Sequence, residues 1–349
     1  MIKLPALDLA YLKEQLLSLL NTPSPTGYTD QVIIRLEEIL TAFPDLILRR
    51  TIKGALVASW AGDLSTTPRA LTAHVDTLGA MVKEIKPNGR LKLSQLGGYA
   101  WNTIEGETCT VFSSAGEAIR GTVLLNKASS HVYGKAVHTE ERTADSMEVR
   151  LDYLTLSAEE TQAAGIQVGD FVAFDPRVEE NQGFIRSRHL DDKASVACLL
   201  AAIQALDNAG LKPAQETVFH FSTYEEVGHG AASGFPPGIK ELIAVDMAAV
   251  GKGQTSDEFH ATLCVKDSGG PYHHGLNQRL RTLADEYEIP YQVDIYPYYG
   301  SDGEAYWRAG GDVAVALLGP GVDASHNYER THQDALIATT CWIIAYLLN

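Results

Sequence analysis

The first apolar pattern in the chain has a helical period. Leu9, Leu12, Leu16, Leu17 and Leu20 fall on one stripe and predict an amphipathic helix over about Asp8 to Leu20. The turn formers Pro23, Pro25 and Gly27 follow, and a second helix is predicted from near Asp30 to Ala42. The apolar runs then shorten to strand length at Leu46–Thr51, Ala55–Ala61 and Arg69–His74. Beyond residue 175 the alternation resumes, with helices over Asp192–Asn208 and Leu276–Tyr287 and a closing helix from about Thr331. Strands are expected there at Glu216–Ser222, Leu242–Asp246, Tyr291–Tyr296 and Val313–Leu318. Such a succession favours an α/β layer structure.

Between about Ala80 and Asp175 the texture changes. RLKLSQL, TCTVFSS, AIRGTVLL, MEVRLDYLTL and DFVAFDP are short alternating segments separated by Gly, Asn and Ser turns, an all-β signature. A small β-barrel-like domain, residues 80–175, is therefore expected to interrupt an α/β domain built from residues 1–79 and 176–349. Two domains also suit a chain of 349 residues, which exceeds the size at which one core usually stops growing.

Composition acts mainly by exclusion. The apolar and charged fractions, 45% and 21%, are those of an ordinary globular protein. With 28 Lys and Arg against 44 Asp and Glu, the net charge is −16, and no basic cluster stands out to neutralise phosphates. Nucleic acid and anionic membranes are therefore not expected partners. Cys109, Cys198, Cys264 and Cys341 lie far apart without a C-x-x-C pair, which favours reduced, inert thiols. The N-terminal stripe is interrupted by charged residues and lacks a signal-peptide cleavage pattern, so the expected address is the cytoplasm.

Chemistry is suggested by five metal-ligand-type side chains, each at the edge of an apolar strand-like run: His74, Asp191, Glu226, Asp246 and His326. One bridging carboxylate, with one further carboxylate and one imidazole for each ion, is a ligand set for two divalent cations. His74 and Asp76 form H-x-D just past a strand, where a period of two points both the same way. Asp76 then either orients the His74 ring or binds metal itself; the orienting role is favoured. Asp191 and Asp192 precede a helix, where acids commonly cap free N–H groups. Asp191, one residue earlier, is also placed to bridge two ions. Glu225 and Glu226 follow an apolar strand, and adjacent carboxylates there repel unless a cation or proton lies between them. One should be a ligand and the other a base. Asp246 ends a further apolar strand, where an unpartnered buried charge would be costly. His326 lies in a polar loop, and a lone loop histidine is usually just solvated. Nine other histidines compete with it, among them His273, His274 and His332 in segments able to reach a cleft.

In order along the chain, H-x-D, a small inserted domain, LDDK, EE-V-G, VD and a C-terminal His resemble the M42 family of metallo-aminopeptidases, within the dinuclear zinc exopeptidases. The resemblance covers essentially the whole chain. It implies a mixed sheet flanked by helices, with Asp191 bridging two metals, His74 and Asp246 completing one site, and Glu226 and His326 the other. It further implies that Glu225 is the general base, that Asp76 supports His74, and that the Asp191–Asp192 peptide is cis. Two divalent ions per subunit are implied, zinc first, with cobalt or manganese also compatible. Family members assemble through the inserted domain, often into tetrahedral dodecamers, so a homo-oligomer is expected.

The resemblance departs at the C-terminal motif, where many members have His-Ser-Pro or His-Thr-Pro followed by Glu and this chain has His326-Asn327-Tyr328-Glu329-Arg330-Thr331-His332. This variant looks like a branch associated with a dipeptide-amide osmoprotectant. Metal-assisted cleavage of the N-terminal residue of short peptides is the activity implied, with Asp302 in GSDGEA, otherwise part of a Gly-rich turn, as a partner for the substrate amine. A related dinuclear deacylase or carboxypeptidase would instead need a cationic clamp, for which Arg330 or Arg308 is available. A metal-free glycan hydrolase fits poorly with so dense a ligand set, and a non-catalytic assembly protein would be expected to lose ligands or the base.

Overall fold

The computed structural model describes residues 3–349. Four parallel strands form the middle of its principal sheet: Leu64–His74, Gln215–Ser222, Glu241–Val245 and Ala314–Asp323. In spatial order they run Gln215–Ser222, Leu64–His74, Glu241–Val245, Ala314–Asp323. Because they are parallel, their C-terminal ends open on the same side, where ligands of open α/β sheets bind. Ser222 lies opposite His74 in register, and Val245, the residue before Asp246, lies opposite Leu318. The expected strands at 46–51 and 55–61 are present as Leu46–Arg50 and Leu56–Trp60, an antiparallel pair on the edge next to Gln215–Ser222.

Three helices cover one face. The helix Leu190–Asn208 is buried along nearly its whole length because Ala, Leu, Val and Ile surround it on every side. It packs on the sheet and against the helices Leu9–Leu20 and Gln333–Leu348. The first of these buries only its stripe of Leu12, Leu16, Leu19 and Leu20, as an amphipathic surface helix should. Their side chains join Trp60, Phe219, Phe221 and Trp342 in one core.

Residues Gly79–Phe174 contain a closed six-stranded antiparallel barrel, with strands Gly79–Ile85, Leu91–Leu96, Thr108–Phe112, Ala118–Leu125, Met147–Leu151 and Phe171–Phe174. Alternate residues, among them Val82, Leu91, Leu93, Cys109, Val111, Val123, Val149 and Val172, fill its interior as a separate core. The barrel docks on the α/β part through Tyr28, whose ring stacks on Phe112 with centroids 4.7 Å apart.

Several elements differ from the sequence expectation. The strand Ala261–Asp267 joins the principal sheet antiparallel to Ala314–Asp323, although its apolar run is too short and irregular to announce itself. The expected closing helix begins at Gln333 rather than Thr331, since Glu329–His332 pairs as a strand with Phe184–Ser187. The GSDGEA segment is the helix Asp302–Arg308 rather than a Gly-rich turn. The four cysteines are free thiols. No helix among the described residues is long and apolar enough to cross a membrane.

Candidate metal centre

Each candidate ligand sits where a strand or helix runs out. His74 is the last residue of its strand, Glu225 and Glu226 form a short turn three residues beyond Ser222, and Asp246 follows Val245. Asp191 stands at the kinked start of the Leu190–Asn208 helix, where its own ψ of 105° is extended and its peptide bond to Asp192 is cis. His326 lies in the loop after Asp323 with φ 63°, a left-handed conformation uncommon outside glycine.

These positions bring two groups together. Ligand atoms of His74, Asp191 and Asp246 lie within 4.8 Å of one another, and so do those of Asp191, Glu226 and His326. Asp191 belongs to both. Its Oδ1 is 3.0 Å from His74 Nε2 and its Oδ2 is 3.3 Å from His326 Nε2. The other ring nitrogens are directed elsewhere: His74 Nδ1 lies 2.9 Å from the Asp76 carbonyl, and His326 Nδ1 pairs with the carbonyl of Gly98 in the barrel. Each imidazole therefore presents Nε2 to the shared carboxylate.

Asp76 is fully buried and accepts hydrogen bonds from Thr26 Oγ1 at 2.7 Å and from the backbone N–H groups of Glu225 and Glu226 at 3.2 and 3.4 Å. It also lies 3.5 Å from His74 Nδ1. Asp76 thus holds the His74 ring through its backbone carbonyl and the Glu225–Glu226 turn through its carboxylate. Glu225 Oε2 lies 3.8 Å from His74 Nε2.

So many acids out of water disturb one another. Burial, then repulsion from Asp191, raises the carboxyl pKa of Glu226 to about 8 and that of Asp246 to about 7. Burial also pushes Glu225 well above its ordinary value, with Asp246 adding to the shift. Burial would lift Asp191 too, but hydrogen bonds from His326 and His74 hold it below the usual carboxylate range. The reverse holds for His326: burial opposes its charge, yet Asp191 and Glu226 raise it to about 11. Divalent cations would meet the same electrostatic demand. Glu226 Oε1 is buried without a hydrogen-bond partner among the described residues, and carboxylate oxygen with imidazole nitrogen is a donor set suited to zinc, cobalt or manganese. The residues present fit the ions.

Beside these groups lies a cleft of about 400 Å³, lined by Asp191, Glu225, Glu226, Asp246 and His326 together with residues from 298–308. The profile of the M42 glutamyl aminopeptidase family matches residues 54–341. The chain belongs to the M42 peptidase family. It is accordingly a hydrolase of peptide bonds from a metal-dependent family. A Bacillus subtilis protein named as a putative aminopeptidase, YhfE, is 47% identical over 335 residues, 96% of each chain. The lysyl aminopeptidase of Pyrococcus furiosus is 26% identical over 277 residues, 76% of each. Among solved structures, aminopeptidase APDkam598 of Desulfurococcus kamchatkensis superimposes with a TM-score of 0.86 at 23% identity, covering 97% of this chain and 95% of that one. The Pyrococcus horikoshii TET1 peptidase, which assembles into a tetrahedron or a large octahedral shell, gives 0.84 at 20% identity, covering 97% and 99%.

Within this M42 chain two residues, Asp302 and Arg330, take places other than those their sequence context suggests. Asp302 is buried beneath the Glu225 turn, where it accepts hydrogen bonds from the Ala231 N–H at 2.7 Å and from Ser222 Oγ. Its carboxylate ties the Asp302–Arg308 helix to the strand end rather than lining the cleft, where a partner of the substrate amine was expected. Arg330 makes a two-pronged pair with Glu258 at 2.6 and 2.8 Å and is not among the residues that line the cleft. Arg308 does line the cleft. His273 and His332 accept backbone N–H groups at the starts of helices.

Sequence reasoning missed Glu329. It is buried, and its two oxygens accept the backbone N–H groups of Asp191 at 3.1 Å and His326 at 3.0 Å. It thereby locks the two segments that meet at the shared carboxylate; its position three residues after His326 was the available signal. Replacing Glu329 with alanine leaves both N–H groups unpaired and is expected to weaken zinc binding about 10–100-fold. Arg330→Ala should change it little. Competition titration against a chelator makes the comparison, and equal affinity in wild type and Glu329→Ala would refute the locking role.

Proposed function

We propose that this chain is a cytoplasmic dinuclear metallo-aminopeptidase that releases N-terminal residues from short peptides. The observation that carries the reading is the pair of ligand groups sharing Asp191, four of whose five residues line one cleft. Asp191 would bridge two divalent cations, zinc first, with His74 and Asp246 completing one site and Glu226 and His326 the other. When bound, such ions polarise the scissile carbonyl and make a water acidic enough to lose a proton near neutrality.

Glu225 acts as base and then acid. It lines the cleft beside His74, and Asp76 holds its backbone in place. It takes a proton from the attacking water and returns it to the leaving nitrogen. Asp76 itself does not meet substrate; it fixes the His74 ring and the turn that carries the base. The substrate's free amine would bind the second ion or a nearby carboxylate, which restricts cleavage to the first peptide bond.

Bridging and proton transfer then separate in mutants. Asp191→Ala is expected to lose both ions, whereas Glu225→Gln should keep near-wild-type metal content and lose turnover by at least about 100-fold. Metal analysis beside peptide assays tests this, and full occupancy in Asp191→Ala would sink the bridging assignment.

Hydrolysis should also require the free amine. An N-acetylated peptide amide lacks both the charge of the free amine and its ability to bind as a ligand, and should be cleaved far more slowly than its unblocked counterpart at equal concentration. Preferential cleavage of the acetylated form would favour the deacylase reading.

Assembly is assigned to the inserted domain, residues 80–175. Its surface exposes Val132, Tyr153, Leu154 and Leu156, apolar side chains suited to burial between subunits. Sedimentation of the full chain should give a multiple of 37.9 kDa, built on dimers and reaching a tetrahedral dodecamer. Leu154→Glu with Leu156→Glu should reduce its size; an unchanged particle would remove the role from this surface.

A further inference from the structure

One permanently charged cation shares the cleft with its carboxylates. Of the residues that line it, Arg308 alone is Lys or Arg. It lies in the last turn of the helix Asp302–Arg308, the element that Asp302 anchors to the strand end beneath Glu225. Its side chain is 68% exposed, and one nitrogen, Nη2, donates to Glu304 Oε2 at 2.9 Å. No other hydrogen bond from Arg308 is found among the described residues, so the remaining donors of a five-donor guanidinium are available.

Glu304 is itself built in. Its side chain is only 7% exposed and packs over Gly269, where a Cβ would lie 1.5 Å from Glu304 Oε1. Next to it, Asp267 is fully buried and accepts from the hydroxyl of Tyr272 and from the Gly269 N–H at 2.9 Å. The tether is therefore rigid, while the guanidinium it holds remains in contact with solvent. Burial first, and Asp267 second, raise the Glu304 carboxyl to about 7, so near neutrality it cancels the Arg308 charge only in part.

We propose that Arg308 recognises the C-terminal carboxylate of a very short peptide, while the scissile bond lies at the Asp191 end of the same cleft. A planar guanidinium held on one edge presents its other edge for two-pronged binding to a carboxylate. A cleft of about 400 Å³ is near the small end for ligand sites and suits a di- or tripeptide. The inference rests on the aminopeptidase reading and adds a selection rule to it: substrates carrying a carboxylate within reach of Arg308 bind better than neutral ones.

Binding can be read apart from turnover in zinc-loaded Glu225→Gln. Calorimetry with Ala-Ala, with Ala-Ala amide and with glutamic acid α-amide separates the two carboxylate sources from a neutral control. Adding Arg308→Ala should weaken Ala-Ala, and a loss confined to the glutamic acid amide would overturn the proposal. The expected loss is about 10-fold, the lower end for a charge-assisted contact because the group is solvent-exposed. Ala-Ala amide should change by less than about twofold, and Arg308→Lys should recover part of the loss because it keeps the charge without the fork. Equal losses on all three ligands, or no loss on any, would overturn the proposal. Turnover of unblocked peptides by the wild-type enzyme is measured in parallel. Its absence would count against the aminopeptidase reading, and the binding comparison would still judge Arg308.

Discussion

The contact of Asp191 with two imidazoles at once is the constraint around which the rest of the site is arranged. A carboxylate this deeply buried is costly unless it is paired, and His74 and His326 approach its two oxygens from separate segments of the chain. Each approach has its own support. His74 is fixed by a sheet strand and by Asp76, while His326 is fixed by Glu329 and by the carbonyl of Gly98. The same Glu329 accepts the Asp191 N–H, so the backbone on both sides of one contact hangs on a single buried carboxyl. Asp246 and Glu226 then add negative charge beside Asp191, making the centre more demanding of cations than any single ligand group would be.

Parallel topology explains why residues so far apart in sequence meet. Three of the four central parallel strands end in, or run into, a candidate ligand or base, and the fourth leads into the His326 loop. Close packing is needed to bring them together: a Cβ on Gly319 would lie 1.9 Å from the Asp246 carbonyl oxygen, so the neighbouring strand passes Asp246 at a distance only glycine permits.

Much of this is legible in the sequence. Apolar runs closed by His74, Glu225–Glu226 and Asp246 mark both the strands and the residues at their ends, and the alternating segments between 80 and 175 mark the barrel strands. Other features are illegible for physical reasons. Asp302 and Arg330 are polar residues in loop-like sequence, and sequence pattern does not say whether such a carboxylate or guanidinium faces a cleft or satisfies a neighbour. Asp302 answers Ser222 and the Ala231 N–H, and Arg330 answers Glu258, partners 71 or more residues away. Glu329 is hidden because its work is done on backbone N–H groups, which leave no trace in side-chain patterning. The strand Ala261–Asp267 is hidden because pairing with Ala314–Asp323, rather than its own periodicity, specifies it.

The barrel has a part in the chemistry that its sequence texture does not suggest. Gly98 lies in the segment following the barrel strand Leu91–Leu96, and its carbonyl takes the Nδ1 side of His326, which leaves Nε2 directed at Asp191 and Glu226. Adjacent Gly97 has φ 76°, and a Cβ there would come within 2.4 Å of Leu78 and 3.3 Å of Glu226 Oε2. Gly97 therefore lets backbone, rather than side chain, approach the centre. The inserted domain thus orients one candidate ligand, His326, while its outer surface carries the exposed apolar side chains Val132, Tyr153, Leu154 and Leu156.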